Sequence, residues 1–109
     1  MLGWHWVGTL RGCRAPLRDV ERVTRALRDV PDALGLIRIG EPIVTCPGDG
    51  SVVGIVLLSA SHASVHVPAT GSDCLCDLFS CTPFDAERCE QAFTAVFSPT
   101  EVESRTLER

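Results

Sequence analysis

The sequence predicts an α+β domain, a two-layer sandwich with a mostly antiparallel four-stranded sheet and two helices on one face. Two segments carry apolar residues at every third or fourth position, which is the period of an amphipathic helix. The remaining segments are short apolar or alternating runs bounded by turn residues, as strands are. Their order is β-α-β-β-β-α, which allows antiparallel pairing and places a layer of helices on one face of the sheet.

Size and composition favour a single domain over residues 1–109, since the chain is 45% hydrophobic and 22% charged. The net charge of -4 argues against nucleic acid as the partner. The longest apolar run is far too short to span a membrane, and the first residues lack the basic and apolar regions of a signal peptide. We therefore expect neither a nucleic-acid partner nor a membrane partner.

Trp4–Leu10 alternates bulky and small residues and is predicted to be the first strand. A helix is predicted from Pro16 to about Val30, with proline in its first turn. Its apolar positions recur at helical spacing: Leu17, Val20, Val23, Leu27 and Val30. Pro31 should end this helix, because the residue before a proline is pushed out of the helical region.

Leu34–Ile39 and Pro42–Cys46 should form one strand with an interruption or bulge between them. Pro47–Gly50 is a strong turn signal. Val52–Leu58 is predicted to be a buried central strand, and Ala63–Val67 resumes extended structure after a polar break.

Asp73–Ser80 is the last predicted strand. Thr82–Asp85 has the composition of a helix start. The second helix should bury one apolar stripe: Ala86, Cys89, Phe93, Val96 and Phe97. The polar tail from Ser98 onward is expected to fray.

A candidate reactive site lies where the central strand ends in Ser59-Ala60-Ser61-His62. His66 follows Ser61 by five residues and Cys81 follows it by twenty. A serine, a histidine and a cysteine can supply a nucleophile, a base and an acid, so we predict a self-processing site. Each of these residues alone is more often a turn or packing residue. A structural role is also expected for His5 and His62, with local assistance to Ser61 as the alternative for His62.

Six cysteines leave several alternatives open: Cys13, Cys46, Cys74, Cys76, Cys81 and Cys89. Cys74 and Cys76 on one strand would lie about 6.5–7 Å apart, too far for one tetrahedral zinc ion unless the backbone kinks. A disulfide framework suits a secreted chain, for which there is no export signal. Buried or partly buried thiols are predicted for most of the six, with Cys74, Cys76 and Cys89 in the core. No metal is predicted, and a zinc-binding module is a distant alternative.

Three motifs along the chain resemble those of one known family. They are Gly3-x-His5 with Gly12-Cys13, the Ser-x-Ser-His-x-x-x-His run from Ser59 to His66, and Asp77-Leu78-Phe79-Ser80-Cys81. With this order and spacing, the sequence from about Gly3 to Phe97 resembles the prokaryotic S-adenosylmethionine decarboxylases. These are small pyruvoyl-dependent carboxy-lyases of polyamine (spermidine) biosynthesis, and this chain would be a divergent member.

The resemblance implies that the proenzyme cuts itself between Ala60 and Ser61, giving chains 1–60 and 61–109. Ser61 would be the precursor of the pyruvoyl group, the self-derived cofactor that forms a Schiff base with the substrate amine. His66 would be the processing base and Cys81 the proton donor in decarboxylation. A histidine suits the base because it is competent near neutral pH.

Several positions depart from the family's pattern. Ala60 replaces a glutamate, Val53 a serine thought to assist processing, and Thr9 an acidic residue. Thr70 falls where the family's substrate-binding glutamate should be, and Pro47 falls where a ring should pack on adenine. The substrate-binding residues therefore stay unknown. Arginine- or ornithine-like amino acids are alternatives to S-adenosylmethionine as the small-molecule substrate.

An unprocessed, inactive homologue that acts as a binding or regulatory partner is the other alternative. The resemblance further implies a cytoplasmic homodimer of processed protomers whose active site draws residues from both. A sheet with helices on only one face independently favours association.

Overall fold

Six strands and two helices make up the structure, a computed structural model that describes residues 1–109. In chain order they are β1 (Trp4–Arg11), α1 (Val20–Ala33), β2 (Arg38–Thr45), β3 (Val52–Leu58), β4 (Ser61–Val67), β5 (Cys74–Ser80), α2 (Ala86–Phe97) and β6 (Glu101–Glu108). The strands form one sheet in the order β2-β3-β4-β5-β1-β6, with every neighbouring pair antiparallel. The predicted α+β sandwich is confirmed, but the predicted count of four strands is too low.

The first strand beyond the predicted four is β4. The polar break after β3 is a hairpin turn, so the segment that follows it is a separate strand. Leu58 pairs with Ser61, so Ser59 and Ala60 form a two-residue loop between β3 and β4. The chain reverses at this point, and Ala63–Val67 belongs to a separate strand that begins at Ser61.

The second added strand is the polar tail, where fraying was predicted. Glu101–Glu108 pairs with β1 over its whole length and forms one edge of the sheet. Most of its side chains are exposed. A charged strand at a sheet edge protects that edge from pairing with other chains, so a polar sequence is compatible with a strand here.

The helix limits differ from the prediction at α1 and agree with it at α2. Asp19 caps α1 by accepting a hydrogen bond from the Glu21 amide, so the helix begins at Val20 and not at Pro16. Pro31 lies inside the last turn and does not end the helix, which continues to Ala33. The capping segment before α2 is confirmed, since the Asp85 side chain accepts from the Arg88 amide.

The hydrophobic core lies between the helices and one face of the sheet. Trp6 of β1 stacks on Phe93 of α2, with ring centroids 5.2 Å apart. Helix α1 approaches β3 closely at Gly54, where a Cβ atom would lie 2.8 Å from Leu27 Cδ1. This tight contact fixes the helix layer on the sheet.

The other face of the sheet, here called the open face, has no helix over it. Exposed aliphatic side chains lie on this face: Ile43, Ile55, Leu57, Leu75 and Leu107. Neither helix is long and apolar enough to cross a membrane.

Candidate active site

The predicted cleavage bond lies at the β3–β4 turn. Ala60 has a φ of 61°, in the left-handed region that residues with a side chain rarely adopt. Ser61 is the first residue of β4, and its hydroxyl donates to the Ser59 carbonyl oxygen at 3.3 Å. The carbonyl that Ser61 would attack therefore belongs to a residue with a strained backbone.

Cys81 lies at the same end of the sheet as Ser61. Ser61 pairs with Ser80, and Cys81 follows directly after this last residue of β5. Cys81 is exposed and lies just beyond the end of β5, two positions after Phe79. Two of the three predicted catalytic residues thus lie at the same end of the sheet.

His66 is not brought to Ser61 within one chain. The two residues are five positions apart on β4, roughly 16 Å at the rise of a strand. Their odd separation also places them on opposite faces, because Ser61 alternates with buried Ala63 and Val65 on the helix side. His66 is exposed on the open face.

Four of the five positions that depart from the family's pattern lie at the His66 end of the sheet, and the fifth, Ala60, lies at the other end. Val53 of β3 pairs with His66 of β4. His66 pairs in turn with Leu75 of β5, and Leu75 pairs with Thr9 of β1. These four residues form one cross-strand row on the open face. The exposed Pro47 and Thr70 lie in the turns at this same end of the sheet, away from Ser61.

A cluster that the sequence analysis treated as structural lies on the open face next to Ser61. His5 Nε2 is 2.6 Å from Asp77 Oδ2, and His62 Nε2 is 3.8 Å from the same oxygen. The Ser64 hydroxyl donates to the other oxygen of Asp77. The signal was present in the motifs, since His5, His62 and Asp77 all belong to them, but their proximity depends on β5 lying between β4 and β1.

The same three residues have the spacing of a metal site. Their donor atoms lie within 4.8 Å of one another. Two imidazoles and a carboxylate could hold a divalent ion. In this structure, however, the short His5–Asp77 hydrogen bond already pairs two of the three donors.

A pocket of about 450 Å³ on the open face borders the predicted cleavage bond. Its lining is Ile55, Leu57, Ala60, Ser61, His62, Phe79 and Arg109. The His62 ring stacks on Phe79 with a centroid distance of 6.0 Å, and the Arg109 guanidinium lies 5.5 Å from the centre of the Phe79 ring. The pocket thus combines an aromatic wall, an imidazole and a cation beside Ser61.

The pyruvoyl group implied by the family would replace Ser61 at the start of β4. The position fits such a group, because the Ala60–Ser61 bond is at a turn and both residues border the pocket. A cut there would place the new chain end at the pocket wall.

Four of the cysteines are buried, as predicted: Cys13, Cys74, Cys76 and Cys89. Burial raises the pKa of the Cys13 and Cys89 thiols to about 12 and raises that of Cys76 as well. The pKa of Cys74 is lowered, mainly by a hydrogen bond with the Cys76 thiol. Cys46 and Cys81 are exposed, and all six thiols are free.

Comparison with known proteins identifies the family. The family model for S-adenosylmethionine decarboxylase matches residues 4–109. The structure is similar to the crystal structure of the adenosylmethionine decarboxylase from Aquifex aeolicus VF5, with a TM-score of 0.77 and 22% sequence identity over 99% of this chain and 90% of that one. The curated protein sequences give no significant match. Because the family model extends over nearly the whole sequence, this chain belongs to the S-adenosylmethionine decarboxylase family.

Proposed function

We propose that the protein is a self-cleaving, pyruvoyl-dependent decarboxylase that cuts itself between Ala60 and Ser61. The observation behind the proposal is the position of this bond in a chain of this family. It lies in a strained hairpin turn, beside an open pocket and at the same end of the sheet as Cys81. Family membership supports the reaction class, and the strained turn supports this position for the cut.

In the cutting reaction, the Ser61 hydroxyl attacks the Ala60 carbonyl carbon and the peptide bond becomes an ester. A base then removes the Ser61 α-proton, and the carbon–oxygen bond breaks by β-elimination. Water replaces the α-nitrogen, which leaves as ammonia. The overall change consumes one water and leaves a carboxylate on Ala60.

The pyruvoyl group supplies the electron sink that decarboxylation of an amino acid needs. The role proposed for Cys81 is to return a proton to the substrate carbon after carbon dioxide has left. Its exposure at the Ser61 end of the sheet is compatible with this role.

S-adenosylmethionine, in spermidine synthesis, is the first candidate substrate, and a second is another amino acid such as arginine or ornithine. A changed substrate is favoured by Thr70 and Pro47, which lack the carboxylate and the ring expected of this family. The pathway and the cytoplasmic location stay predictions.

His66 is proposed to act on the Ser61 of a second copy. Within one chain the two residues lie at opposite ends and on opposite faces of β4. The open face is rich in exposed aliphatic side chains, so two copies that pack these faces together in opposite directions would bury them. This arrangement would bring His66 of one copy toward the turn of the other.

The decisive test of self-cleavage is the intact mass of the purified protein under reducing conditions. Cleavage gives fragments 1–60 and 61–109, the second lighter by one ammonia than a fragment that begins with serine. A Ser61→Ala chain should stay at full length. Cleavage of Ser61→Ala at this bond would refute the mechanism.

Action in trans is tested by co-expressing Ser61→Ala and His66→Ala chains that carry different tags. Alone, neither variant should be cut. Together, the mixed dimer pairs an intact His66 with an intact Ser61, so the His66→Ala chain should be cleaved. If that chain stays intact in a dimer shown to be mixed, His66 does not act across the interface.

An unprocessed homologue with a binding or regulatory role is the second candidate function. Val53 favours it, because this apolar residue pairs directly with His66, where a polar helper is expected. A single wild-type chain of full mass would support this alternative and leave the family assignment unchanged.

A further inference from the structure

The pocket beside Ser61 contains an imidazole backed by a fixed carboxylate, which the proposed mechanism has not used. We infer that His62 is a catalytic acid–base residue for the condensation of an amine with the carbonyl formed at residue 61, and that Asp77 is its positioning residue. This inference rests on the proposed function. It names a group that acts after the cut, whereas Ser61 and His66 act during it.

His62 is placed to touch a molecule in the pocket. It follows Ser61 directly in β4, lines the pocket, and leaves 39% of its side chain exposed. Its ring is supported from one side by Phe79. Nε2 faces Asp77, so Nδ1 is the ring nitrogen left for the pocket.

Asp77 is held rigidly behind His62. One carboxylate oxygen accepts from His5 Nε2 at 2.6 Å and the other accepts from the Ser64 hydroxyl. These partners come from β1 and β4, the two strands that flank β5. A carboxylate fixed in this way can orient an imidazole and stabilise the positive charge that it carries as an acid.

The geometry assigns His62 to condensation and not to the initial attack. In the intact chain, the Ser61 hydroxyl donates to the Ser59 carbonyl and belongs to the helix side of β4, whereas His62 belongs to the open face. Cleavage releases the start of β4 from the turn. The residue that must then react is the new chain end, which is next to the imidazole of His62.

The proton balance of the step needs one acid. When the substrate amine adds to the carbonyl carbon, the former carbonyl oxygen must leave as water for the carbon–nitrogen double bond to form. One proton of that water would come from the amine as it adds, and the imidazolium of His62 would donate the other. The carbon–oxygen bond would then break while the nitrogen lone pair completes the double bond. The neutral imidazole regains a proton from solvent.

The test uses methoxyamine, a simple amine probe that condenses with ketones, and follows its addition to the 61–109 fragment by mass. His62→Gln should still self-cleave, but its rate constant for methoxyamine condensation should fall by about 100-fold or more. Asp77→Asn should lose about 10- to 100-fold, because the His62 imidazolium loses the negative charge 3.8 Å from its Nε2. Glu103→Gln removes a carboxylate that pairs with Arg11 away from the pocket and should react at the wild-type rate.

Two further measurements separate an acid–base role from a structural one. Imidazole added to the buffer should partly restore condensation in His62→Ala, and Asp77→Glu should recover part of the loss in Asp77→Asn. In the uncut Ser61→Ala chain, the ¹⁵N shifts of the His62 ring should change on Asp77→Asn, which needs no pyruvoyl group.

Several outcomes would overturn the inference. Condensation at the wild-type rate in His62→Gln removes His62 from this step, and failure of His62→Gln to cleave moves it to the cutting reaction. Loss of condensation with a chelator would make His5, His62 and Asp77 a metal site instead. Absence of cleavage in the wild type refutes the proposed function itself, which is a different result.

Discussion

Ala60 is the residue at which the strain of the fold and the proposed chemistry coincide. Its φ of 61° is imposed by a two-residue loop that must reverse the chain between β3 and β4. A left-handed conformation costs a residue with a side chain about 1–2 kcal/mol, and glycine adopts it freely. Cutting the bond that follows Ala60 removes the constraint.

Ala60→Gly should therefore stabilise the uncut protein by about 1 kcal/mol. The comparison is best made in the Ser61→Ala background, by urea unfolding, so that cleavage does not interfere. Ala63→Gly is the matched control and should destabilise, because Ala63 is buried in the middle of β4. An unchanged or lower free energy of unfolding for Ala60→Gly would show that the turn stores no strain.

Two of the six thiols are predicted to be reactive in the folded protein, and the other four are predicted to be protected. Iodoacetamide near neutral pH should modify Cys46 and Cys81 in the folded protein, since these two are exposed. Burial, together with the raised pKa of Cys13 and Cys89, should protect the other four. Intact mass should show two adducts when folded and six after denaturation, and a third adduct on the folded protein would contradict the packing.

At the scale of the element, the strands were predictable where a pattern is local and not where it depends on a turn. Alternation identified Trp4–Leu10 and Asp73–Ser80 within a residue or so. The β3–β4 hairpin was missed because its loop is Ser59-Ala60, whereas two-residue loops usually contain glycine or asparagine. The polar β6 was missed because its stabilising partner, β1, is almost the whole chain away.

Like the strands, the candidate site was predictable only where its arrangement follows from a local pattern in the sequence. The register of β4 against β5 places Ser61 and Cys81 at the same end of the sheet. The distance of His66 from Ser61 follows from a single continuous strand, which the prediction had started at Ala63. The His5–Asp77 pair could not be predicted, because it requires β1 to insert next to β5.

The contact of α1 with β3 gives a prediction about packing. Gly54→Ala should destabilise the protein by about 1–3 kcal/mol, because the added methyl group would lie 2.8 Å from Leu27 Cδ1 and 3.0 Å from Val23 Cγ1. Urea unfolding measures the change. The double variant Leu27→Ala/Gly54→Ala should lose less free energy of unfolding than the sum of the losses in the two single variants. Strict additivity of the two losses would rule out this contact as the cause.

For the whole molecule, the open face is the main feature left without a partner inside the chain. Leu57 is 57% exposed on this face, near the β3–β4 turn and beside the pocket. Its exposure, together with that of its aliphatic neighbours, supports the proposed homodimer.

Leu57→Glu should raise the dissociation constant of the dimer by about 100-fold or more, because it would bury an unpaired charge. Light scattering over a range of concentrations measures the constant. Val20→Glu places the same charge at an exposed apolar residue on α1, and its dimer should be unaffected. A wild-type monomer, or a Leu57→Glu dimer as stable as the wild type, would contradict association through the open face.

The order of the strands decides what happens to the two pieces after a cut at the β3–β4 turn. Fragment 1–60 would supply β2, β3 and β1, and fragment 61–109 would supply β4, β5 and β6. In the sheet, β1 lies between β5 and β6, so the fragments interleave along three strand boundaries. The cut would break one covalent bond and no ladder of hydrogen bonds, so neither fragment could leave without unfolding the other. The uncut chain would fold into this arrangement as a single molecule. Once separated, the two fragments could regain it only by a slow association that depends on their concentration.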